Sequence, residues 1–251
     1  MKKRTEKKDA TPAQISLAWM LHKYPNVVPI PGSKNKGRIK ALFAGSRKQS
    51  IIPSKEHMKR RYSMEMISAC RDWYNGDPIL EEYHDHEWCK IHHDDDFEFE
   101  MLCLEGASVG LSWQIIMHKR AAYRAAFHQF KIDACAAMTD EELETLCTDP
   151  GIIRNRNKIF SVRKNAQIVQ KIQDEFGSFD AYLWQFSEGR QIDGHWKTPA
   201  DIPTVSDVSF AMSKDMKKRG IGFVGPVITY SFLQSIGIVN DHLIDCPFRQ
   251  D

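Results

Sequence analysis

The chain has 251 residues, and a hydrophobic content of 42% is sufficient for a packed core. It contains no run of 18 or more apolar residues, which argues against a transmembrane helix. Charged residues soon follow the basic start Met1-Lys2-Lys3-Arg4, which argues against a secretory signal peptide. Without such a signal, the six cysteines do not indicate a disulfide framework, and we expect a cytoplasmic protein.

The net charge of +2 conceals two segments of opposite charge. Residues 1–61 carry 16 Lys/Arg and 3 Asp/Glu, a balance of +13. The remaining 190 residues carry 19 Lys/Arg and 30 Asp/Glu, a balance of −11. Such an abrupt change in charge indicates two segments that differ in composition. The basic part is either a soluble tail or an arm that attracts nucleic acid.

The basic arm begins with a helical pattern over residues 9–24, which Thr11 can cap and in which Pro12 occupies the first turn. A short strand and turn follow at residues 27–32, and then a cluster of Ser, Lys and Arg. Residues 5–40 resemble the C-terminal end of the aldo-keto reductases, in which this cluster contacts the phosphate of NADPH. One strand cannot close an eight-stranded barrel, so we interpret the arm as a fragment joined to another protein.

Residues 41–63 mix Gly, Ser and Pro with Lys and Arg, a composition typical of a linker. From Met64 onward, apolar residues recur with helical spacing, and few segments alternate with period two. We therefore predict a mainly α-helical domain over residues 64–251, preceded by an appendage of residues 1–40. Helices are predicted at residues 97–104, 112–127, 131–147, 152–176, 179–186, 206–218 and 226–236, with a loop at 188–203.

Two local signals locate helix starts within this domain. Asp94, Asp95 and Asp96 suit a helix N-terminus, where negative charge is favourable. Thr139 followed by Glu142 predicts a capping box.

Two Cys/His pairs are candidate zinc ligands. Cys70 and His84 are separated by 13 residues, and His242 and Cys246 by three. Two thiolates and two imidazoles would form a closed tetrahedral site. Spacing alone does not establish the pairing, and buried thiols with satisfied histidines would give the same pattern. A second candidate, His86, His92 and His93 with the following aspartates, is more simply a solvated acidic turn.

One stretch of the domain holds side chains suited to a binding pocket. Tyr83 and Trp113 are aromatic residues that could line it, and Glu105 is a carboxylate flanked by apolar residues. Each also has an ordinary interpretation. An interior Tyr or Trp is usually part of the core, and a helical Glu is usually solvated.

A series of motifs occurs along nearly the whole domain. They are Asp77-Pro78, Tyr83-His84-Asp85-x-Glu87-Trp88, Leu104-Glu105-Gly106, Gly110-Leu111-Ser112-Trp113, Gly151-Ile152-Ile153-Arg154-x-Arg156-x-Lys158, Lys217-Lys218-Arg219-Gly220, Tyr230-Ser231-Phe232 and Val239-Asn240-Asp241-His242. In these motifs and in their order, the domain resembles the type I 3-methyladenine DNA glycosylases. The resemblance implies a domain of the helix-hairpin-helix DNA glycosylase superfamily. It also implies one structural zinc ion per chain, held by Cys70, His84, His242 and Cys246.

The implied reaction is hydrolysis of the N-glycosidic bond of 3-methyladenine in alkylated double-stranded DNA, by a monomer. The base must leave the stack and enter a pocket. The resemblance assigns base stacking to Trp113, recognition of the base and any catalytic role to Glu105, and a hydroxyl on the base edge to Tyr83. A catalytic Asp of the kind found elsewhere in the superfamily is not evident. The resemblance therefore makes Glu105 a recognition group that could help electrostatically.

Two positions depart from the family pattern. Cys70 and Trp73 are one residue further apart than expected, and Leu80 stands where a pocket tyrosine is expected. We expect an altered pocket wall that affects substrate affinity more than reaction type.

DNA contact is predicted at the hairpin, through Gly151, Arg154, Arg156 and Lys158. The basic run at residues 217–219 is either a second contact or a solvated face. Two other functions remain open at this stage. One is a catalytically weak, lesion-binding module of the same fold, and the other is an NADPH-dependent reductase that rests on residues 5–40.

Overall fold

The computed structural model describes residues 69–250. The predicted reductase-like fragment at residues 1–40, the linker at 41–63 and residues 64–68 lie outside the described residues. The predictions made for them therefore remain predictions.

Helices dominate the described residues, so the predicted mainly α fold class is confirmed. None of these helices is long and apolar enough to cross a membrane. The α-helices are α1 (Pro78–His86), α2 (Asp95–Ser108), α3 (Trp113–Ala126), α4 (Ile132–Ala137), α5 (Asp140–Leu146), α6 (Arg156–Phe176), α7 (Phe179–Trp184), α8 (Asp207–Arg219) and α9 (Pro226–Ser235). Short 3₁₀ turns occur at Ala69–Tyr74, His128–Phe130, Gln185–Ser187 and Pro199–Asp201.

Polar side chains determine where several helices begin. Asp94 starts α2 by accepting a hydrogen bond of 2.7 Å from the backbone amide three residues later. Ser112 starts α3 in the same way, at 3.4 Å. Thr139 and Glu142 form the predicted capping box of α5, with reciprocal hydrogen bonds of 3.2 and 2.7 Å. The helix-start signals read from the sequence at Asp94 and at Thr139 are confirmed.

Two predicted helices differ from the observed ones. The single helix predicted over residues 131–147 is wrong, because the chain forms α4 and α5 with a break before Thr139. The Thr139 side chain caps α5, and a capping residue takes an extended backbone that interrupts the preceding helix. The helix predicted over residues 152–176 begins only at Arg156, because Asn155 caps it through its side chain.

Helix α2 lies at the centre of the domain. Every residue from Glu98 to Ser108 is buried, and α3, α6, α7 and α9 pack around the helix. Acidic residues inside such a helix require partners. Glu100 has them, since it accepts hydrogen bonds from Arg120 at 2.6 Å and from Arg124 at 2.8 and 2.9 Å. Glu105 has no arginine or lysine partner among the described residues.

Two short strands connect the predicted loop at residues 188–203 to the C-terminal segment. Strand β1 (Ile192–Asp193) pairs in parallel with strand β2 (Val239–Asn240). Across residues 69–250 this is the whole of the sheet, as the sparse alternation of the sequence predicts.

Candidate functional site

A cavity of about 490 Å³ opens between α1, α2, α3 and α9. Sites for small molecules typically enclose about 300–1,000 Å³, so this cavity is large enough for one. Its wall consists of Trp73, Tyr83, Trp88, Glu105, Ser108, Leu111, Trp113, Pro199, Ile202, Pro203, Thr204, Val227, Ile228, Tyr230, Ser231 and Gln234. The structure thus brings the three predicted base-binding residues, Tyr83, Glu105 and Trp113, into one cavity.

Glu105 reaches this cavity from the buried helix α2, and only 6% of the residue is exposed. Burial raises the pKa of its carboxyl group to about 8, and the Ser108 side chain opposes this shift. A buried carboxylate without a countercharge is costly. A cationic ligand in the cavity would supply that countercharge, so the electrostatics of this wall favour a positively charged ligand.

Tyr83 and Trp113 form an aromatic part of the wall. Their ring centroids lie 5.7 Å apart, with 56° between the ring planes. Tyr83 is almost fully buried, whereas Trp113 is partly exposed. Trp113 is the first residue of α3, and it follows a tight turn at Gly110, whose φ of +78° favours glycine. Rings placed in this way can pack against a planar base.

Several wall residues were missed in the sequence analysis. Trp73, which is 41% exposed, packs edge-on against Tyr83 with ring centroids 6.4 Å apart. Tyr230 and Gln234 lie one turn apart on α9, far along the chain from the other wall residues. No local pattern marks these positions, although Tyr230 belongs to a motif shared with the family. Leu80 is buried but does not line the cavity.

The buried carboxylate of Asp241 fixes two residues of the cavity wall through hydrogen bonds. Asp241 accepts hydrogen bonds from the Tyr230 hydroxyl and the Gln234 amide, both at 2.7 Å, and from the Trp196 indole at 2.6 Å. Asp241 is fully buried and directly precedes His242. The orientation of the α9 wall is therefore linked to the segment that contains the candidate metal ligands.

The four candidate zinc ligands come together from opposite ends of the described chain. The ligand atoms of Cys70, His84, His242 and Cys246 all lie within 4.8 Å of one another, and all four residues are buried. The four sulfur-to-nitrogen distances are 3.3, 3.6, 3.9 and 3.2 Å. Tetrahedral zinc, with bonds of about 2.3 Å to sulfur and about 2.0–2.1 Å to nitrogen, requires about 3.5 Å between them. The donor set and its spacing fit a zinc ion.

Hydrogen bonds on the outer side of the cluster orient the two imidazoles. His84 Nδ1 lies 2.7 Å from an oxygen of Asp85, which leaves Nε2 facing the sulfur atoms. His242 Nε2 lies 3.1 Å from the carbonyl oxygen of Trp88, which leaves Nδ1 facing them. Metal-bound histidines commonly have such outer partners. Among the described residues, the alternative cluster around His86, His92 and His93 does not form a comparable group.

The two predicted hairpin arginines have different surroundings. Arg154 is exposed, and no hydrogen bond or ion pair to its side chain is present within residues 69–250. Arg156 is also exposed, but its Nε donates to Glu144 at 3.1 Å, and its guanidinium lies 4.0 Å from the Phe160 ring centroid. Arg154 is therefore the arginine that is available to a phosphate without losing an internal partner.

The other two predicted hairpin residues already have internal partners. The Gly151 amide donates to the Asp149 carboxylate at 2.6 Å. The Lys158 ammonium donates to the backbone carbonyls of Ala107 and Val109, at 2.8 and 2.6 Å. Lys158 therefore connects α6 to the end of α2.

Comparisons with known proteins agree with this geometry. The family model described as Methyladenine glycosylase matches residues 73–250. DNA-3-methyladenine glycosylase 1 of Escherichia coli K12 is 42% identical over 174 residues, which cover 69% of this chain and 93% of that protein. DNA-3-methyladenine glycosylase of Haemophilus influenzae Rd is 39% identical over 184 residues, or 73% of this chain and 99% of that protein.

A solved structure shows the same fold. The structure of 3-methyladenine DNA glycosylase I from Staphylococcus aureus, which concerns recognition of 3-methyladenine, superposes with a TM-score of 0.71 at 36% identity. The match covers 74% of this chain and 98% of that chain. Because the family model matches more than half of the chain, including the residues that line the cavity, the chain belongs to the methyladenine glycosylase family.

Proposed function

We propose that this protein is a monofunctional DNA glycosylase that releases 3-methyladenine from alkylated double-stranded DNA, as a first step of base excision repair. The observation that carries the proposal is the buried carboxyl group of Glu105, which shares a cavity with Tyr83 and Trp113. Membership of the family supports the same activity. We expect a cytoplasmic monomer, since no other chain is needed to complete the cavity wall.

Recognition follows from the charge of the damaged base. In the nucleotide, 3-methyladenine is cationic, whereas an undamaged adenine is neutral. The Glu105 carboxylate favours the cation and can accept a hydrogen bond from its amino group. The Trp113 ring offers a stacking surface that also attracts positive charge. The same two residues therefore discriminate between damaged and normal bases.

The reaction itself needs little from the protein once the base is in the cavity. The bond between C1′ of the sugar and the base breaks, and its electron pair neutralises the positive charge of the base. Water then bonds to C1′ and loses a proton to solvent. Because the charge on the base falls as the bond breaks, Glu105 stabilises the bound state at least as much as the transition state. We therefore expect Glu105 to act mainly in binding.

We propose that Cys70, His84, His242 and Cys246 hold one structural zinc ion. Such an ion would contribute folding energy and no chemistry, because four protein ligands leave no position for water. The spacing of the ligand atoms and the outer hydrogen bonds of both histidines support this proposal.

We propose that DNA lies against the hairpin formed by α5 and α6, with Arg154 as the phosphate contact at its exposed side. The second basic segment offers Lys217 and Lys218, both exposed, whereas Arg219 is held by Glu175 at 2.6 Å. Only the two lysines of this segment would then add to phosphate binding.

The test is release of free base from methylated DNA, measured for the wild type and for Trp113→Ala and Glu105→Ala. We expect the wild type to release 3-methyladenine, and both variants to lose at least tenfold in rate at limiting DNA. If the wild type binds methylated DNA but releases only the same trace of base as Glu105→Ala, the protein is a lesion-binding module. We also propose that the fold boundary lies near residue 64, so that a chain lacking residues 1–62 keeps its rate of base release. Submicromolar binding of NADPH by the full chain would instead favour the reductase hypothesis.

A further inference from the structure

Lys158 lies on the predicted DNA-binding hairpin, but its side chain points to the end of another helix. The ammonium nitrogen lies 2.8 Å from the carbonyl oxygen of Ala107 and 2.6 Å from that of Val109. The last carbonyls of a helix have no partner within the helix, and a lysine there satisfies them and complements the helix dipole. Lys158 therefore caps the C-terminus of α2 from outside.

The capped segment connects the two principal base-binding residues. Glu105 lies two residues before Ala107, and Trp113 lies four residues after Val109. Between them the chain leaves α2, turns at Gly110 with a φ of +78°, and enters α3. The position of Trp113 relative to Glu105 depends on the path of this short turn. Two charge-assisted hydrogen bonds from Lys158 restrain that path at its first carbonyls.

The surroundings of Lys158 do not suit a phosphate ligand. Its ammonium is already engaged by two carbonyl oxygens, and burial lowers the pKa of the side chain. To reach a phosphate, the side chain would have to leave both carbonyls unpaired, which costs free energy. Arg154, four residues earlier, is exposed and has no such bonds among the described residues. Arg154 and Lys158, on the same hairpin, thus have different surroundings.

We propose that Lys158 is a positioning residue that holds the turn between Glu105 and Trp113 in the geometry that receives the base, and that it contributes no phosphate contact. The inference rests on the proposed base-binding function of the cavity. It also means that the Lys158 side chain links the hairpin helix α6 directly to the turn beside the base pocket. A DNA duplex that docks on the hairpin would then meet a pocket whose entrance turn is already fixed.

Two measurements on the full chain separate positioning from phosphate binding. The first is the slope of log affinity against log salt for an undamaged duplex, by fluorescence anisotropy. Each phosphate contact contributes about 0.9 to this slope. The second is the affinity for free 3-methyladenine, from tryptophan fluorescence, together with the single-turnover rate of base release. The variants are Lys158→Met, Lys158→Arg and, as the matched control on the same hairpin, Arg154→Met. The basic arm is present in every variant, so its contribution cancels in the comparison.

For Lys158→Met we expect an unchanged salt slope, at least tenfold weaker binding of free 3-methyladenine, and a rate of base release at least tenfold lower. Lys158→Arg can still donate to both carbonyls, so we expect it to restore most of both losses. For Arg154→Met we expect a slope smaller by about 1, with unchanged affinity for the free base. The proposal is overturned if Lys158→Met lowers the slope by about 1 while free-base affinity stays at the wild-type value. It is also overturned if Lys158→Met leaves all three quantities unchanged.

A wild type that releases no base would refute the proposed enzymatic function by itself. The salt slope and the free-base affinity do not depend on turnover, so they would still decide the role of Lys158. If Lys158→Met does not fold, the role of Lys158 is decided by comparing Lys158→Arg with the wild type. The proposal is contradicted if Lys158→Arg has the wild-type melting temperature but binds free 3-methyladenine more weakly.

Discussion

Replacing Glu105 with glutamine should change how the stability of the domain depends on pH. Burial raises the pKa of the folded carboxyl group to about 8, from an ordinary value of 4.5. The folded state therefore holds its proton more tightly than the unfolded state. The contribution of this proton to the unfolding free energy is complete at pH values below the pKa that Glu105 has in the unfolded chain. It is lost as the pH rises through the folded pKa of about 8. Glutamine keeps the shape of the side chain but does not titrate, so the variant does not incur this loss.

The magnitude follows from proton linkage. A pKa of about 8 against 4.5 predicts that Glu105→Gln gains about 3 kcal/mol of unfolding free energy relative to the wild type between pH 5 and pH 8. The metal ligands are identical in both proteins, so changes in metal binding with pH largely cancel. The same variant should lose affinity for DNA that carries the cationic 3-methyladenine nucleotide, because the carboxylate that neutralises the charge is absent. A gain in stability that accompanies a loss of function is expected where a polar group is kept for binding.

Urea unfolding of both proteins at pH 5, 6, 7 and 8 measures this difference. Glu82→Gln is the matched control for the same replacement at a surface position, since the Glu82 side chain is 76% exposed. The reasoning is refuted if the stability difference between Glu105→Gln and the wild type is the same at pH 5 and pH 8. It is equally refuted if the wild type becomes the more stable protein at pH 8.

Three further predictions follow from other parts of the structure. Elemental analysis should find about one zinc per chain. Cys246→Ser should lose the metal and have a lower melting temperature, because a tetrahedral site with one ligand removed binds zinc weakly. Retention of stoichiometric zinc by this variant would contradict the proposed ligand set. Glu98 is fully buried, and burial, together with the nearby Asp180, raises its pKa to about 10. The wild type should therefore lose stability as the pH rises from 5 to 8, whereas Glu98→Leu should not, so the unfolding free energy of the variant should rise relative to the wild type over this range; a stability difference that does not grow with pH would contradict this. Trp113→Phe keeps a smaller stacking surface, whereas Trp113→Ala keeps none. Trp113→Phe should therefore weaken binding of free 3-methyladenine less than Trp113→Ala does, and a fluorescence titration should show that order.

Local signals in the sequence predicted the helix starts well, and the reason is physical. Asp94 and the Thr139–Glu142 pair act on backbone amides within three residues, so their effect needs no knowledge of the fold. The prediction of a single helix over residues 131–147 was wrong for a related reason. The helical spacing of apolar residues continues through this segment, but the Thr139 cap acts locally and interrupts the helix. The caps were therefore the better guide to helix ends.

The candidate site was predictable only in part. Glu105, Trp113 and the four zinc ligands were identified through resemblance to a family, because spacing alone does not bring Cys70 to Cys246. The partners of Lys158 could not be predicted at all. They are backbone carbonyls about 50 residues earlier, and any residue type presents such groups. A basic residue in a hairpin motif therefore suggested a phosphate contact, and the fold gives it a different neighbour.

The Cys/His cluster joins residue 70 to residue 246, and strands β1 and β2 add a second connection to the same end of the domain. Most helical proteins fray first at their termini, where few contacts must be broken. With zinc bound at the proposed site, the two ends of the described domain would be joined in its interior, as in a circular chain. The lowest-energy openings should then occur at internal segments such as the turn between α5 and α6. Amide hydrogens near Cys70 and Cys246 would consequently exchange among the slowest in the domain.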